Sequence, residues 1–324
     1  MNYSAIWQQA KANPKLFGDL AMSLFVYCKA ENRVYNEYVT NIKKQEIRDW
    51  REIPCLPVEV FKRRKVVSYT EDAEYVFHSS GTGMTEVSKV HVKSLTAYIE
   101  KAKASFEYRY GNIEDYCFIS LLPSYMENPN SSLICMMDAF IKMSKFSETQ
   151  SYFTDYEALI SKLNELKTKG QKTVLMGVSY ALLDLAERYK LSLEGIIIME
   201  TGGMKGRRKE ITREELHSQL TGSFGVEEIH SEYGMSELMS QFYSKGYGVF
   251  ECLPWMRVLV HDFQDPLELV EDGKAGRISV IDLSSVDNCP FIKTSDIGRI
   301  LGDGRFEVLG RMDGSDIRGC NLLV

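Results

Sequence analysis

The chain has 324 residues, with 39 Lys plus Arg against 45 Asp plus Glu, a net charge of −6. Its 44% apolar and 26% charged residues are those of an ordinary folded protein, which excludes a largely disordered chain and a fibrous repeat. The acidic balance argues against nucleic-acid binding, and the length predicts about two domains.

In chain order, residues 1–72 read as a helical N-terminal region packed on the main domain. Phe17, Leu20, Ala21, Leu24, Phe25 and Cys28 recur at three and four, and Pro14 suits a helix start. Pro54 and Pro57 then break the pattern. Residues 73–248 alternate strand and helix. A strand at Ala73–Phe77 leads through a Gly-rich turn to a helix at Ser94–Tyr108. A strand at Tyr116–Leu122 is followed by helices at Ser131–Met143 and Tyr156–Lys167. Strands at Thr173–Met176 and Gly195–Glu200 alternate with helices at Tyr180–Tyr189 and Thr212–Leu220. Thr212 and Glu215 form a capping-box pattern for the last helix. Such alternation predicts an α/β fold with a mostly parallel sheet flanked by helices. Residues 249–324 change texture: short strands at Met256–His261, Arg277–Leu283, Arg299–Leu301 and Arg305–Val308, joined by Gly and Asp-Gly turns, predict a small β-rich subdomain.

The N-terminus has no basic segment followed by an apolar one, so no secretory signal is expected. The apolar stretches around Leu20–Cys28 and Gly195–Met199 fall far short of the roughly 20 residues that span a bilayer. Seven scattered cysteines without a CxxC pair give no zinc or thioredoxin pattern, and a cytoplasmic protein with reduced thiols is expected.

Five segments carry candidate chemistry. The run His78–Lys89 supplies hydroxyls from Ser79, Ser80, Thr82 and Ser88, glycines at 81 and 83, and the cation of Lys89, a composition suited to phosphate. It is neither a Walker A loop nor a dinucleotide fingerprint. At a strand end, Glu200–Arg208 contains Gly202 and Gly203, which permit close approach of a flat ring. In Ser231–Glu237, Tyr233 offers a ring face, Gly234 and Ser236 sit in the turn, and Glu237 offers a hard oxygen ligand for Mg²⁺. Asp296 in Lys293–Gly298 is suited to ribose hydroxyls, and Arg311 in Gly310–Gly319 to a phosphate. Each alone is also compatible with an ordinary loop, strand end or turn.

In combination and in this order the segments resemble the adenylate-forming superfamily of acyl-CoA synthetases and ligases. Within it the chain is most similar to LuxE-type acyl-protein synthetases. That likeness rests on Trp50–Lys62 with its I-P-x-L-P lead-in, the E-T-G-G-M-K-G-R segment at Glu200–Arg207, and the Arg318-Gly319-Cys320-Asn321-Leu322 tail. Gly81-Thr82-Gly83 departs from the family's G-T-T-G by one hydroxyl; Ser236 stands for Thr and Ser295 for Gly.

The resemblance implies the large N-terminal domain of an adenylate-forming enzyme plus a β-rich subdomain, with the superfamily's small C-terminal domain absent. It implies ATP and Mg²⁺ as cofactors and activation of a carboxylic, fatty acid as acyl-adenylate with release of pyrophosphate. Ser79, Ser80, Gly81, Thr82, Gly83 and Lys89 would grip phosphate, and Glu237 would hold the metal. Gly202, Gly203 and Tyr233 would sandwich the adenine, Gly234 and Ser236 would also bind the nucleotide, and Asp296 and Arg311 would hold ribose and phosphate. Cys320 would accept the acyl group, and a reductase or other acyl-accepting protein would take it onward. Tyr125, Met126, Met136 and Met137 are acyl-pocket candidates by position. Two other readings remain: a non-catalytic or partner-dependent nucleotide- or acyl-binding member, and a serine hydrolase using Ser179 in Gly177-Val178-Ser179 with His217 or His230.

Overall fold

The computed structural model describes residues 3–42, 46–79, 87–123, 130–152, 154–204, 208 and 211–312. The chain divides into two compact units, one formed by residues 1–71 with 249–324, the other by residues 72–248.

The first unit begins with helices α1 (Ile6–Ala12), α2 (Phe17–Glu31) and α3 (Arg33–Ile42) and the short strand β1 (Leu56–Pro57). In α2 the residues at spacings of three and four, Phe17 to Cys28, are all buried, as amphipathic periodicity demands.

The second unit holds a hairpin, β2 (Tyr75–His78) with β3 (Lys89–Val92), then α4 (Leu95–Tyr110), β4 (Cys117–Leu121), α5 (Ser132–Met143), β5 (Gln150–Tyr152) and α6 (Tyr156–Thr168). It continues through β6 (Thr173–Val178), α7 (Ser179–Arg188), β7 (Ile196–Thr201), α8 (Arg213–Phe224), β8 (His230–Tyr233) and β9 (Phe242–Ser244). Its main sheet has the order β5-β4-β6-β7-β8-β9. All pairs are parallel except β8 with β9. Strands β4 and β6 are buried along their whole length, as expected of a sheet covered on both faces. A ring cluster fills the space beside it: Phe106 meets Phe118, Phe140 and Tyr243 with centroids 5.4, 5.5 and 5.8 Å away.

Strands β10 (Val249–Phe250), β11 (Met256–His261), β12 (Gly276–Asp282), β13 (Phe291–Ile300) and β14 (Phe306–Arg311) return to the first unit. They form an antiparallel sheet in the order β10-β14-β13-β12-β11, with β1 added parallel to β13.

Three expectations are corrected. The N-terminal helices belong with the β-rich segment, not with the α/β core. Apolar side chains decide this: Tyr35 stacks on Phe291 at 5.7 Å and Trp7 meets Trp255 edge-on at 5.3 Å. The buried Asn32 adds a hydrogen bond from its Nδ2 to the Asn288 carbonyl at 2.8 Å. The Gly-rich turn does not feed a helix directly, because Lys89–Val92 alternates exposed and buried and pairs as β3. Finally, the strand expected at residues 299–301 is the end of the ten-residue β13, which takes in Thr294, Ser295 and Asp296. The weak strand formers Ser295 and Asp296 are carried by neighbours on both sides, β12 and β14.

The capping box of α8 forms as expected: Thr212 Oγ1 accepts from Glu215 N at 3.1 Å, and Glu215 Oε2 accepts from Thr212 N at 3.0 Å. Thr212→Ala is expected to cost about 1 kcal/mol, read as a shift of the urea midpoint; an unchanged midpoint would show that the cap adds nothing.

Candidate active site

In an open parallel sheet ligands gather at the carboxyl ends of the strands. Here β6 ends at Val178, next to Ser179, β7 at Thr201, next to Gly202, and β8 at Tyr233. Registry sets Glu200 beside Ser231 and Thr201 beside Glu232. Gly202 and Gly203 are exposed past the end of β7, and Gly202 has φ +70°, a left-handed conformation that favours glycine.

Beneath that turn lies a buried polar network. Glu200 faces Arg213 Nε at 3.2 Å and His217 Nε2 at 3.6 Å, and it accepts from Ser179 Oγ at 3.0 Å. Burial alone pushes the Glu200 carboxyl up, but the Arg213 charge and hydrogen bonds from His217 and Ser231 outweigh it and hold the group below its ordinary range. Glu232 behaves in the opposite way. Burial pushes it up to about 7, the Glu200 charge adds to this, and the hydrogen bond from Thr201 Oγ1 only partly offsets it.

From an unfolded value near 4.5 to a folded value of about 7, the folded protein therefore keeps a proton that the unfolded chain has released. Stability then declines as pH rises through that window. Glu232→Gln is expected to remove this part of the decline, measured by urea unfolding at a series of pH values. Parallel curves for the two proteins across the window would contradict it.

After β8 the chain turns through Gly234–Glu237. A side chain at Gly234 would collide with the Glu232 carboxylate and lie 3.1 Å from Gln241 Cγ, which accounts for the glycine. Ser236 is buried, its hydroxyl 3.4 Å from that of Ser132 at the start of α5. Glu237 is buried in the same turn, 4% exposed. Tyr233 stacks on Phe242 with centroids 6.0 Å apart, so one ring face is occupied.

Of the phosphate-loop residues, Ser79, Ser88 and Lys89 are described. Ser79 N donates to the Ser88 carbonyl at 3.1 Å and Ser79 Oγ accepts from Ser88 N at 2.9 Å, closing the loop's base. Lys89 opens β3, exposed, opposite His78. Ser80, Gly81, Thr82 and Gly83 lie outside the described residues, as do Lys205, Arg207, Tyr125, Met126, Arg318 and Cys320. Met136 and Met137 are buried in the core along α5.

In the other unit, Asp296 and Arg311 are direct cross-strand partners on β13 and β14, with Arg311 Nε 4.0 Å from Asp296 Oδ1. Two motifs 15 positions apart in the sequence are thus brought side by side.

Ser179 is not built as a hydrolase nucleophile. It is 1% exposed and is the first residue of α7, one position inside the helix N-cap. Its hydroxyl faces Glu200, the Thr201 carbonyl at 3.4 Å and the Gly202 carbonyl at 2.9 Å. Of the two histidines considered for it, His217 sits on Glu200 and Ser231. His230 sits on the Tyr110 hydroxyl at 2.9 Å. Burial and the Lys245 charge push the His230 imidazole down to about 4, keeping it neutral.

Sequence reasoning gave no role to the side chains of Glu200, Glu232 and Arg213. The available signal was the carboxylate closing the apolar run Ile196–Met199, since an ionisable residue inside a buried strand needs partners.

The family described as "Acyl-protein synthetase, LuxE" matches residues 7–324. The chain belongs to the LuxE acyl-protein synthetase family. It is 23% identical over 338 aligned residues to a long-chain-fatty-acid–luciferin-component ligase of Vibrio harveyi, covering 95% of this chain and 87% of that protein. Among solved structures it is similar to ATP-bound MatB from Rhodopseudomonas palustris, with TM-score 0.55 and 15% identity over 73% of this chain and 47% of that one. O-succinylbenzoate coenzyme A synthetase (MenE) from Bacillus subtilis, in complex with ATP and magnesium, gives TM-score 0.50 and 17% identity over 73% and 49%. The chain spans about half the length of these two structures, which share its fold. The LuxE chain is thus an α/β protein of the adenylate-forming fold, as the motifs implied. Among the described residues no helix is long and apolar enough to cross a membrane.

Proposed function

We propose that this LuxE-family protein activates a long-chain or otherwise apolar fatty acid with ATP and transfers the acyl group to a thiol, that of Cys320. The observation that carries the reading is the family match over residues 7–324. The buried Glu237 and the Gly202–Gly203 turn at the carboxyl end of the sheet support it.

In the first half-reaction a carboxylate oxygen of the acid attacks the α-phosphorus of ATP. The bond to the bridging oxygen breaks, and pyrophosphate leaves with the electron pair. Two anions must approach one another, so catalysis rests on positioning and charge neutralisation. Lys89, Ser79 and Ser80–Gly83 would receive the phosphates. Tyr233, Gly234, Ser236 and the Gly202–Gly203 turn would receive the adenine. Asp296 would hold the ribose and Arg311 a phosphate.

The donor set fits Mg²⁺. Glu237 is a buried hard oxygen donor in the turn after β8, and Mg²⁺ takes one or two carboxylates and completes its shell with phosphate and water. Glu237 would hold it, and when bound the ion neutralises developing phosphate charge.

In the second half-reaction the Cys320 thiolate attacks the acyl carbonyl, a thioester forms and AMP leaves. An unperturbed thiol has a pKa of about 8.5, so only a small fraction is thiolate near neutrality; Arg318, two positions away in the sequence, would raise that fraction. The acyl-protein would then deliver its cargo to a partner protein such as a reductase.

Intact-protein mass spectrometry after incubation with ATP, Mg²⁺ and a long-chain fatty acid tests the reading. The expected result is an adduct of one acyl mass, removed by neutral hydroxylamine as thioesters are. An unmodified protein, with acyl-AMP passing only to added coenzyme A, would overturn it.

A further inference from the structure

Ser179 stood out in the sequence as a strand-to-helix serine, and the activity proposed above gives it no role. Its surroundings supply one. The hydroxyl is buried between two acceptors, Glu200 Oε2 at 3.0 Å and the Gly202 carbonyl at 2.9 Å, with the Thr201 carbonyl farther away at 3.4 Å. A hydroxyl has one proton, so it forks between the side chain of one strand residue and the backbone two positions later. Glu200 does not move freely in response, because Arg213 and His217 hold its other oxygen, at 3.2 and 3.6 Å. The Gly202 carbonyl is therefore tied, through Ser179, to a fixed buried carboxylate.

That carbonyl belongs to the residue whose φ of +70° turns the chain out of β7. Gly202 and Gly203 are exposed and carry no side chain to anchor them. Glycine backbone is the most costly to order, about 1 kcal/mol more than alanine in regular structure. A turn made of two glycines needs an outside constraint to keep one shape, and the Ser179 hydroxyl reaches it from the neighbouring β6–α7 junction. Gly177 contributes to the fit at that junction: a side chain there would lie 2.8 Å from Leu182 Cγ and Cδ2, so any larger residue would have to displace the buried Leu182.

We propose that Ser179 is a positioning residue for nucleotide binding, its hydroxyl clamping the Gly202 carbonyl to Glu200 so that the Gly202–Gly203 turn is pre-shaped for the adenine. This rests on the adenylate-forming reading given above. Ser179 touches no reacting atom. It acts through the turn, so its loss falls on ATP affinity and not on the chemical step.

The test is Ser179→Ala together with the near-isosteric Ser179→Cys, whose thiol is a weak donor. Fatty-acid-dependent exchange of labelled pyrophosphate into ATP is measured with the full chain. The expected result for Ser179→Ala is a KM for ATP raised about tenfold, equivalent to the roughly 1.4 kcal/mol of one hydrogen bond. Its kcat stays within about threefold and its KM for the fatty acid stays unchanged. Ser179→Cys is expected to fall between Ala and wild type. Thermal melting run in parallel identifies a folding defect, and binding of a fluorescent ATP analogue to the cysteine variant keeps the test open if the alanine variant does not fold. An ATP KM for Ser179→Ala within twofold of wild type, or equal losses in kcat and in the KM for both substrates, would overturn the positioning role. Wild-type protein with no exchange at all would instead overturn the adenylate-forming reading itself.

Discussion

Replacing Glu237 with Gln is expected to lower fatty-acid-dependent pyrophosphate exchange by about 10²–10³-fold, the usual scale for removing one electrostatic contact to a phosphoryl centre. Gln keeps the size of the side chain and half of its acceptor oxygens, so the buried turn after β8 retains its packing. What is lost is the negative charge, in a place only 4% exposed where water cannot replace it. The variant should also need more Mg²⁺ for half-maximal rate, because a neutral amide is a poor ligand for a hard cation. A rate within threefold of wild type at all Mg²⁺ concentrations would remove Glu237 from the metal site and direct attention to the other carboxylate of the segment, Glu232. The two differ in kind: Glu232 is pushed up to about 7 by burial, so at neutral pH a substantial share of it carries a proton and makes a weak metal ligand.

Cys320→Ser should separate the two half-reactions. Serine keeps the shape, but its hydroxyl is far less nucleophilic than a thiolate at neutral pH. Pyrophosphate exchange is expected to remain within about twofold of wild type, since the first half-reaction does not involve the thiol. The hydroxylamine-labile acyl adduct is expected to disappear, a loss greater than 10²-fold in transfer. The chain offers internal controls. Cys28, Cys55, Cys117 and Cys289 are buried, and burial pushes the Cys117 and Cys289 thiols up, Cys289 well above its ordinary value. Cys135 and Cys252 are partly exposed, yet burial pushes both thiols up to about 11. Cys117, Cys135, Cys252 and Cys289 are therefore held as thiols, and Cys28 and Cys55 are enclosed in the core. An adduct that survives in Cys320→Ser and maps to one of them would contradict the assignment.

The α/β unit was the most legible part of the chain. Its strands β4, β6 and β7 and the capped α8, like helix α2 of the other unit, follow from apolar spacing, continuous apolar runs and the Thr212–Glu215 pair, all local signals. What was not legible depends on distant partners. The N-terminal helices present an apolar stripe to any suitable surface, and only packing such as Tyr35 on Phe291 reveals that the surface belongs to the β-rich segment. Strand β13 was read short because Ser295 and Asp296 favour turns locally, while two flanking strands impose extension.

The site divides in the same way. The strand-then-turn placement was legible: Gly202 and Gly203 lie just past the end of β7, Tyr233 ends β8 and Glu237 lies in the turn after it. The pairing of Asp296 with Arg311 could not be read, because cross-strand registry is not written in either motif. Nor could the Ser179–Glu200–Gly202 clamp, whose members lie about 20 positions apart and meet only when β6 and β7 are parallel neighbours.

The central claim is that this protein couples ATP to activation of a fatty acid. Exchange of labelled pyrophosphate into ATP, run with acids from short to long chain, tests it most directly. The expected result is exchange that requires both Mg²⁺ and the acid and rises with apolar chain length. No exchange above background with any acid of the series would contradict it.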